Sequence, residues 1–249
     1  MVSRVSQVLR AYQHDERSMT VSALGRRTGI PKASISRIAS EMVEHGLLER
    51  DGDQLRLGIR MFELGQQASR PVDLRRLALP YMSELMRATG QTVHLAVLDG
   101  NEVVYIQILR SRTTPPLPSR VGGRLPAHAT AVGKALLAYS PSATIDDVCA
   151  RPLATVGPHT ITDAPSLRRQ LDTVRANRLA FEREESTANV GCAAAPILTA
   201  DGSLIAALSV SVHLHLSDLF KVGPTVSTVA MALSREAARL PVYGFPAPA

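Results

Sequence analysis

Two serine hydroxyls stand two residues apart in the most apolar run of the sequence. Residues 204–212 read Leu-Ile-Ala-Ala-Leu-Ser-Val-Ser-Val, which is typical of a buried strand. Side chains alternate along a strand, so Ser209 and Ser211 share one face, roughly 6 to 7 Å apart. A buried hydroxyl without a partner costs roughly 1 to 3 kcal/mol. The pair therefore predicts one polar wall of a ligand pocket, and hydrogen bonds to a neighbouring strand or a buried water are the alternative.

A second group that could hold an anion is the start of a predicted helix. Thr130 precedes Ala-Val-Gly-Lys, and the first amides of such a helix, at Ala131 and Val132, have no partner inside it. They can donate to a carboxylate at the positive end of the helix dipole. The segment is not a phosphate-binding P-loop, because His128 takes the place of its first glycine and Ala135 that of its hydroxyl residue. The pattern therefore argues against nucleotide hydrolysis.

The third candidate is the thiol of Cys192, which lies in a run of small residues from Gly191 to Ala195. Small side chains leave room for a ligand that the thiol could touch. A Cys192-dependent enzyme with a histidine as base is an alternative. The sequence contains no GxSxG elbow, and nothing in it places a histidine near the thiol. We therefore predict a binding site without catalytic residues.

The histidines offer at most a weak metal site. His213 and His215 could share a face of an extended strand, a spacing compatible with metal binding, but the sequence fixes no further ligand beside them. His94 and His128 are predicted to be structural histidines with satisfied hydrogen bonds, with His128 shaping the pocket entrance. The two cysteines form no CxxC pair. We predict neither a metal nor a cofactor.

Residues Thr20 to Leu57 have the pattern of a winged helix-turn-helix. Thr20 can cap a first helix over residues 21–28, and Gly29 can adopt the positive φ of a tight turn. Gly25 lets the second helix cross closely. Pro31 suits the first position of that second helix, which runs over residues 32–45 and ends at Gly46. Two short strands around an Asp51-Gly52 turn then predict the wing.

One face of the second helix is polar, cationic and small, as a helix that reads the major groove requires. No acidic residue lies between Glu16 and Glu41, so positive charge collects where a phosphate backbone would pass. A solvated basic face on an ordinary three-helix domain is the alternative. The predicted DNA-binding residues are Arg26, Arg27, Lys32, Ser34, Ser36 and Arg37.

The composition fits a folded protein with a nucleic-acid partner. The chain has 249 residues, 45% of them hydrophobic and 20% charged, and a net charge of +6. Its first residues lack the apolar core of a signal peptide, and its longest apolar run falls well short of the roughly 20 residues of a membrane helix. We expect a cytoplasmic protein without a membrane partner.

The remaining pattern indicates an α+β protein with an antiparallel sheet. We divide the chain into a DNA-binding domain over residues 1–57, a linker helix over 58–71 that Pro71 ends, and a C-terminal domain over 72–249. Helices are predicted over residues 73–89, 130–139, 142–149, 165–177 and 217–240, and strands over 92–98, 102–108, 179–185, 193–199 and 203–213, with a proline-rich loop over 114–118.

Taken together, the chain resembles the IclR-type bacterial transcriptional regulators along nearly its whole length. The order and spacing of several short segments carry the resemblance. They are Ala23 to Lys32, Glu44 to Leu47, Thr92 to Gly100, Arg124 to Ala135, Glu182 to Glu185, Gly191 to Pro196 and Ala207 to Ser211. The resemblance implies a winged helix-turn-helix, a linker helix and an effector-binding domain similar to the GAF fold. It also implies dimers, or dimers of dimers, on a palindromic double-stranded DNA operator.

The resemblance further implies a small organic acid as effector. The family's contacts map onto Ala131, Val132, Glu182, Cys192, Ser209 and Ser211. Glu182 departs from the family, which usually has aspartate there, and facing an anionic ligand it must be protonated, bridged by water or turned away. Val212-His213 also stands where the family often has Gly-Pro. A ligand-responsive DNA-binding regulator is thus the leading hypothesis, and the alternative is a regulator whose second domain is only an oligomerisation scaffold.

Overall fold

The structure is a computed structural model that describes residues 1–12, 17–114 and 116–238. It divides into two compact units, Met1–Val72 and Asp73–Ala249. Pro115 of the predicted proline-rich loop, and residues 239 and 240 of the predicted last helix, lie outside the described residues. None of the described helices has the length and hydropathy that crossing a membrane requires.

The first unit packs helices against a small sheet. The helices are α1 (Val2–Ala11), α2 (Val21–Thr28), α3 (Lys32–Glu44) and α4 (Ile59–Gln67), and the strands are β1 (Ser18–Thr20), β2 (Leu48–Asp51) and β3 (Gln54–Leu57). The antiparallel sheet has the order β1-β3-β2. Leu24, Ile35, Ile38 and Leu55 are buried in one core. The helix-turn-helix and its wing are confirmed, whereas α1 and β1 were not predicted.

Local signals explain the helix-turn-helix corner. The Thr20 Oγ1 atom accepts a hydrogen bond from the Ala23 amide at 3.2 Å, and Gly29 ends α2 with a φ of 70°. A Cβ atom on Gly25 would lie 3.4 Å from the Ile35 Cγ2 atom, so α3 approaches α2 closely at this point. Pro31 precedes the first helical residue and does not occupy it, and its carbonyl accepts from the Ile35 amide.

The wing leads directly into α4. The Gly58 amide donates to the Leu47 carbonyl at 2.9 Å. A Cβ atom on Gly58 would lie 2.1 Å from the Gly46 carbonyl oxygen, although the backbone angles of Gly58, φ −72° and ψ 157°, suit any residue. This position therefore needs glycine because it has no room for a side chain.

The prediction that Pro71 ends the linker helix is wrong. Helix α4 already ends at Gln67, and α5 (Ser69–Thr89) begins two residues later. Pro71 then lies in the first turn of α5, where the backbone amides have no partner inside the helix and a proline is tolerated. The predicted linker thus consists of α4, the break at Ala68 and the start of α5.

The second unit is built on one antiparallel sheet, as predicted. Its strands are β4 (Thr92–Asp99), β5 (Glu102–Leu109), β6 (Arg124–Pro126), β7 (Ala180–Arg183), β8 (Val190–Leu198) and β9 (Leu204–His213). Their order is β6-β5-β4-β9-β8-β7. The short strand β6 was not predicted, and β8 begins three residues before the predicted start at Ala193.

Helices cover both faces of this sheet. Along β9, Leu208, Val210 and Val212 pack into a core with residues of α5 and of α9 (Leu219–Ala237). The alternate residue Ala207 faces a second core with residues of α6 (Ala131–Ala138), α7 (Ser142–Cys149) and α8 (Ala164–Asn177). By the alternation of the strand, Ser209 lies on the α6 side of the sheet.

Candidate functional site

The outer face of α3 is polar, while its inner face carries the buried residues Ile35 and Ile38. Lys32, Ser36 and Arg37 are exposed and Ser34 is half-buried. Arg26, at the end of α2, is also exposed. The side chains of Arg26, Lys32 and Arg37 form no hydrogen bond or ion pair with any residue that the structure describes. These three cations are thus available to an anionic partner.

Arg27 differs from the other predicted DNA-binding residues. Its Nη1 atom donates to the Ala11 carbonyl at 3.0 Å and lies 3.9 Å from the Met19 sulfur. The guanidinium therefore holds the end of α1 against α2, a structural role that the sequence did not reveal.

Ion pairs connect charged side chains within the wing. Arg56 pairs with Glu49 at 3.1 Å across the hairpin. The amide of Ile59 donates to the same Glu49 carboxylate at 2.8 Å, and this bond, together with Arg56, lowers the pKa of Glu49. The start of α4 is thereby tied to the wing.

In the second unit, one cavity lies between the sheet and the start of α6. All six predicted effector residues line it, and they are joined by residues from β4, β5, β6 and three loops. The lining residues are His94, Tyr105, Leu117, Pro118, Ser119, Leu125, Thr130, Ala131, Val132, Glu182, Ser186, Thr187, Cys192, Ser209 and Ser211. None of them is a lysine or an arginine.

The cavity is narrow. Its volume is about 30 Å³, or about 340 Å³ when the open space at its mouth is included. The smaller volume suffices for one or two water molecules.

The sheet supplies the polar floor of the cavity. Glu182, Cys192 and Ser211 are direct cross-strand neighbours on β7, β8 and β9. The Cys192 sulfur lies 3.1 Å from the Ser211 Oγ atom. Ser209 is 3% exposed, and its hydroxyl forms no hydrogen bond within residues 1–12, 17–114 and 116–238. Ser211 thus bonds to a neighbouring strand, which was the alternative to a ligand contact, whereas Ser209 forms no such bond.

The start of α6 supplies free donors. The Thr130 Oγ1 atom accepts from the Gly133 amide at 3.0 Å, while the amides of Ala131 and Val132 bond to nothing in the described part of the chain. A Cβ atom on Gly133 would lie 2.0 Å from the Ala127 carbonyl oxygen. Glycine at this position lets the turn before α6 fold back onto it and fixes the direction of the free amides.

Glu182 is buried against this floor. Its Oε2 atom accepts from the Glu185 amide at 2.9 Å, and burial raises the pKa of its carboxyl above the ordinary value. Burial, followed by the nearby Glu182, also raises the pKa of the Cys192 thiol well above its usual value. Burial thus disfavours the charged forms of both groups.

His94 and His128 both contact other protein groups, and His94 also faces the cavity. The His94 Nε2 atom lies 2.9 Å from the Ser119 Oγ atom, and burial, with a smaller effect of Arg110, lowers its pKa to about 3. His94 also lines the cavity. The Nε2 atom of His128 instead contacts the Ala154 carbonyl at 3.0 Å, and His128 is absent from the lining, so the expectation that it shapes the entrance is wrong.

His213 and His215 do not share an extended strand, because β9 ends at His213. The His215 Nε2 atom lies 2.9 Å from the Asn189 side-chain oxygen. Among the described residues, no three potential metal ligands come together.

Comparison with known proteins assigns the chain to a family. The family models described as "IclR helix-turn-helix domain" and "Bacterial transcriptional regulator IclR C-terminal" match residues 1–52 and 66–235. The chain belongs to the IclR family of bacterial transcriptional regulators. The matches cover the helix-turn-helix, the sheet and the cavity of this IclR-family protein.

Individual relatives agree with this assignment. The HTH-type transcriptional regulator XynR of Escherichia coli is 29% identical over 99% of this chain and 98% of its own length. KipR of Bacillus subtilis is 33% identical over 78% of each chain. The solved structure of an IclR homolog from Microbacterium hydrocarbonoxydans, complexed with 4-hydroxybenzoate, is 32% identical and has a TM-score of 0.89, covering 96% of this chain and 99% of that one.

Several lining residues of this IclR-family cavity escaped the sequence analysis. Tyr105, Ser119 and Thr130 are among them, and His94 was expected only to be structural. The position of Thr130 could have been predicted from the sequence, since it directly precedes the helix whose first amides were expected to bind the effector. Tyr105 and Ser119 reach the cavity through strand pairing and a long loop, which the local sequence does not encode.

Proposed function

We propose that this chain is an effector-responsive DNA-binding regulator whose cavity binds a small organic acid. The observation that carries the proposal is the convergence of Ala131, Val132, Glu182, Cys192, Ser209 and Ser211 on one cavity. Support comes from the relative complexed with 4-hydroxybenzoate, which is 32% identical to this chain.

In this proposal the acid's carboxylate lies at the start of α6. The free amides of Ala131 and Val132 donate to it at the positive end of the helix dipole, and the Ser209 hydroxyl donates from the sheet. Glu182 accommodates the negative charge by remaining protonated. Cys192 and Ser211 close the floor around the ligand.

The narrowness of the cavity supports a response and not merely binding. In this proposal an aromatic acid widens the narrow cavity on binding, so that the bound and free proteins differ in conformation. A ligand shifts an equilibrium between two states by its difference in affinity for them. We propose that this difference alters operator binding by the first unit.

The DNA-binding surface in this proposal is the outer face of α3 with the wing beside it. It comprises Arg26, Arg27, Lys32, Ser34, Ser36 and Arg37, of which Arg27 has the additional structural role described above. A palindromic operator follows if the chain forms symmetric dimers or dimers of dimers. Binding to chromosomal DNA would place the protein in the cytoplasm.

Helix α4 supports self-association. It buries none of its residues, and Ile59 and Phe62 are 64% and 63% exposed. These two side chains lie three residues apart on one face of the helix. An exposed apolar stripe of this kind indicates a protein interface, which we assign to a second copy of this chain.

The chemistry of the cavity favours binding over catalysis. A nucleophilic cysteine must be a thiolate, whereas burial keeps Cys192 protonated. His94, the histidine that shares the cavity, has a pKa of about 3 and is therefore a weak base. A domain that served only for oligomerisation would not need free amides and a serine hydroxyl facing a cavity.

A screen of small carboxylic acids with the full chain tests the proposal. Calorimetry and thermal denaturation would measure binding of acids that include 4-hydroxybenzoate, and mobility shifts would measure affinity for a duplex selected by the protein from a random pool. We expect at least one acid to bind and to change DNA affinity. Binding of none, an unchanged DNA affinity, or repeated turnover of a bound acid would overturn the proposal.

A further inference from the structure

A second cavity lies on the other face of the sheet, between the end of β8 and α9. Its walls come from residues between 195 and 202, from the C-terminal half of α9 and from Arg178, which follows α8. Its volume is about 290 Å³, or about 780 Å³ when the open space at its mouth is included. It is therefore much larger than the cavity at the start of α6, hereafter the first cavity, and reaches the size of small-molecule sites.

The second cavity concentrates positive charge. Two arginines, Arg178 and Arg235, belong to its described lining, and none of the other lining residues is acidic. Both arginines are exposed, and neither forms a hydrogen bond or an ion pair with any residue within 1–12, 17–114 and 116–238. The described lining of the first cavity, in contrast, contains no arginine or lysine. The second cavity thus presents two cations that this part of the chain does not neutralise.

The end of β8 offers little to a partner strand. Strand β7 pairs with β8 only as far as Ala194, so the following residues of β8 form an edge within the described sheet. Pro196 has no amide, and the Leu198 amide already donates to the Ser234 Oγ atom at 3.1 Å. An added strand would find neither position free to donate. A small ligand therefore suits this cavity better than a strand of another protein.

Arg178 adopts a backbone conformation that favours glycine. Its φ is 53°, in the left-handed region, and it ends α8 at a position where helices commonly carry glycine or asparagine. A residue with a Cβ atom is strained in this conformation. Glycine would therefore serve the turn better, and what glycine lacks is a guanidinium at the second cavity.

We propose that the second cavity is a binding site for a small dianion, such as a phosphate monoester or a dicarboxylate, held by Arg178 and Arg235. A guanidinium presents its donors as a planar fork that matches the oxygens of phosphate and carboxylate groups. Two guanidiniums also match two negative charges. This inference is independent of the proposed function, because the described linings of the two cavities share no residue.

Calorimetry on the full chain tests the proposal with two dianions and their monoanionic counterparts. Glycerol 3-phosphate is compared with dimethyl phosphate, and succinate with monomethyl succinate, at about pH 8, where a phosphate monoester carries two charges. An ionic strength of about 0.15 M screens general attraction to the protein surface. We expect at least one dianion to bind about tenfold more tightly than its counterpart, and the tighter dianion identifies the class of ligand.

Two variants locate the binding site. Arg178→Gly and Arg235→Gln should each weaken dianion binding by about tenfold, because each removes a charged hydrogen-bond donor. Glycine suits the left-handed φ of position 178, so Arg178→Gly should not lower the midpoint of thermal unfolding, and its loss of binding reports the missing side chain. Arg183→Gln is the matched control, an exposed arginine on β7 outside both described linings, and should leave binding unchanged.

Several outcomes would overturn the proposal. They are a natural protein that prefers neither dianion, an Arg178→Gly or Arg235→Gln variant that binds as tightly as the natural protein, and an equal loss in Arg183→Gln. Ser209→Ala should bind the dianion unchanged, whereas an equal loss in that variant would place the ligand in the first cavity. A change in sedimentation without a change in dianion binding would assign the two arginines to a subunit contact instead.

Discussion

The Nζ atom of Lys134 lies 2.6 Å from the Oε1 atom of Glu185, and the two side chains are 0% and 7% exposed. Lys134 belongs to α6, and Glu185 follows β7 in the turn that brings Ser186 and Thr187 to the cavity. Gln170 of α8 accepts a second hydrogen bond from Lys134 at 2.6 Å. This buried ion pair joins α6 to the cavity wall.

Replacing Lys134 should destabilise the second unit strongly. Lys134→Met leaves the Glu185 carboxylate buried without its cation, and removing one partner of a buried pair costs about 3 to 5 kcal/mol. Urea denaturation would measure the loss. The control is Arg151→Met, which breaks a pair with Asp147 in which both side chains are 58% exposed and should cost less than about 1 kcal/mol. Equal losses in the two variants would contradict the prediction.

Affinity for a carboxylic acid should depend on pH through Glu182. The raised pKa of this buried carboxyl means that its protonated form is fully populated below the ordinary value of 4.5 and is lost as pH rises through the raised value. An ionised Glu182 repels the acid, so affinity falls by up to about tenfold per pH unit above the raised pKa. Calorimetry from about pH 5 to about pH 8 measures this.

Glu182→Gln should remove this pH dependence, because the amide does not ionise. The same sign applies to folding: the stability that protonated Glu182 provides is present at low pH and lost as pH rises. The free energy of unfolding of Glu182→Gln should therefore rise relative to that of the natural protein as pH increases. Identical pH profiles for the two proteins would rule out Glu182 as the titrating group.

Ser209→Ala should weaken acid binding by about tenfold, since it removes a hydroxyl that lines the cavity and donates to the carboxylate in the proposed function. Ser209→Ala combined with Ser211→Ala should abolish the response of DNA binding to the acid. Ser227→Ala, on α9 and outside the cavity lining, is the control. An acid that binds the double variant unchanged would show that the site lies elsewhere.

Arg37→Ala should weaken operator binding by about 1 to 3 kcal/mol if the guanidinium contacts a base. Arg37 is exposed on α3, so folding should be unaffected. Mobility shifts against salt concentration measure the effect, and Arg183→Ala, exposed on β7, is the control. A loss below a few tenths of a kcal/mol would make Arg37 an ordinary surface residue.

Phe62→Ser should weaken self-association, because it removes the exposed aromatic side chain of α4. Analytical ultracentrifugation over a range of concentrations would measure the dissociation constant. Val156→Ser, a loop residue that is 37% exposed, serves as the control. Unchanged association of Phe62→Ser would remove α4 from the interface.

The sequence predicted best where a single residue determines the local structure. Thr20 caps α2, and Gly29 and Gly46 adopt positive φ. The sequence did not predict strands that form only by pairing with another strand. The strands β1 and β6 have three residues each and are defined by their partners β3 and β5. Helix α1 lacks a side-chain cap at Met1, so no local signal marks its start.

The site shows the same division. Ser209 and Ser211 were found because strand alternation places them on one face. Arg27 was predicted to face DNA, yet its bond to Ala11 joins residues far apart in the chain. Tyr105 reaches the cavity from a strand that is not adjacent to β9, and only the strand order reveals this.

The contact between Gly58 and Gly46 bears on how a signal can reach DNA. Glycines often serve as hinges, but here the amide of Gly58 is bonded to Leu47 and its α-carbon is pressed against the end of the preceding helix. With Ile59 also bonded to Glu49, the junction between the wing and α4 is held rigid. We therefore expect a rotation of α4 to rotate α3 with it.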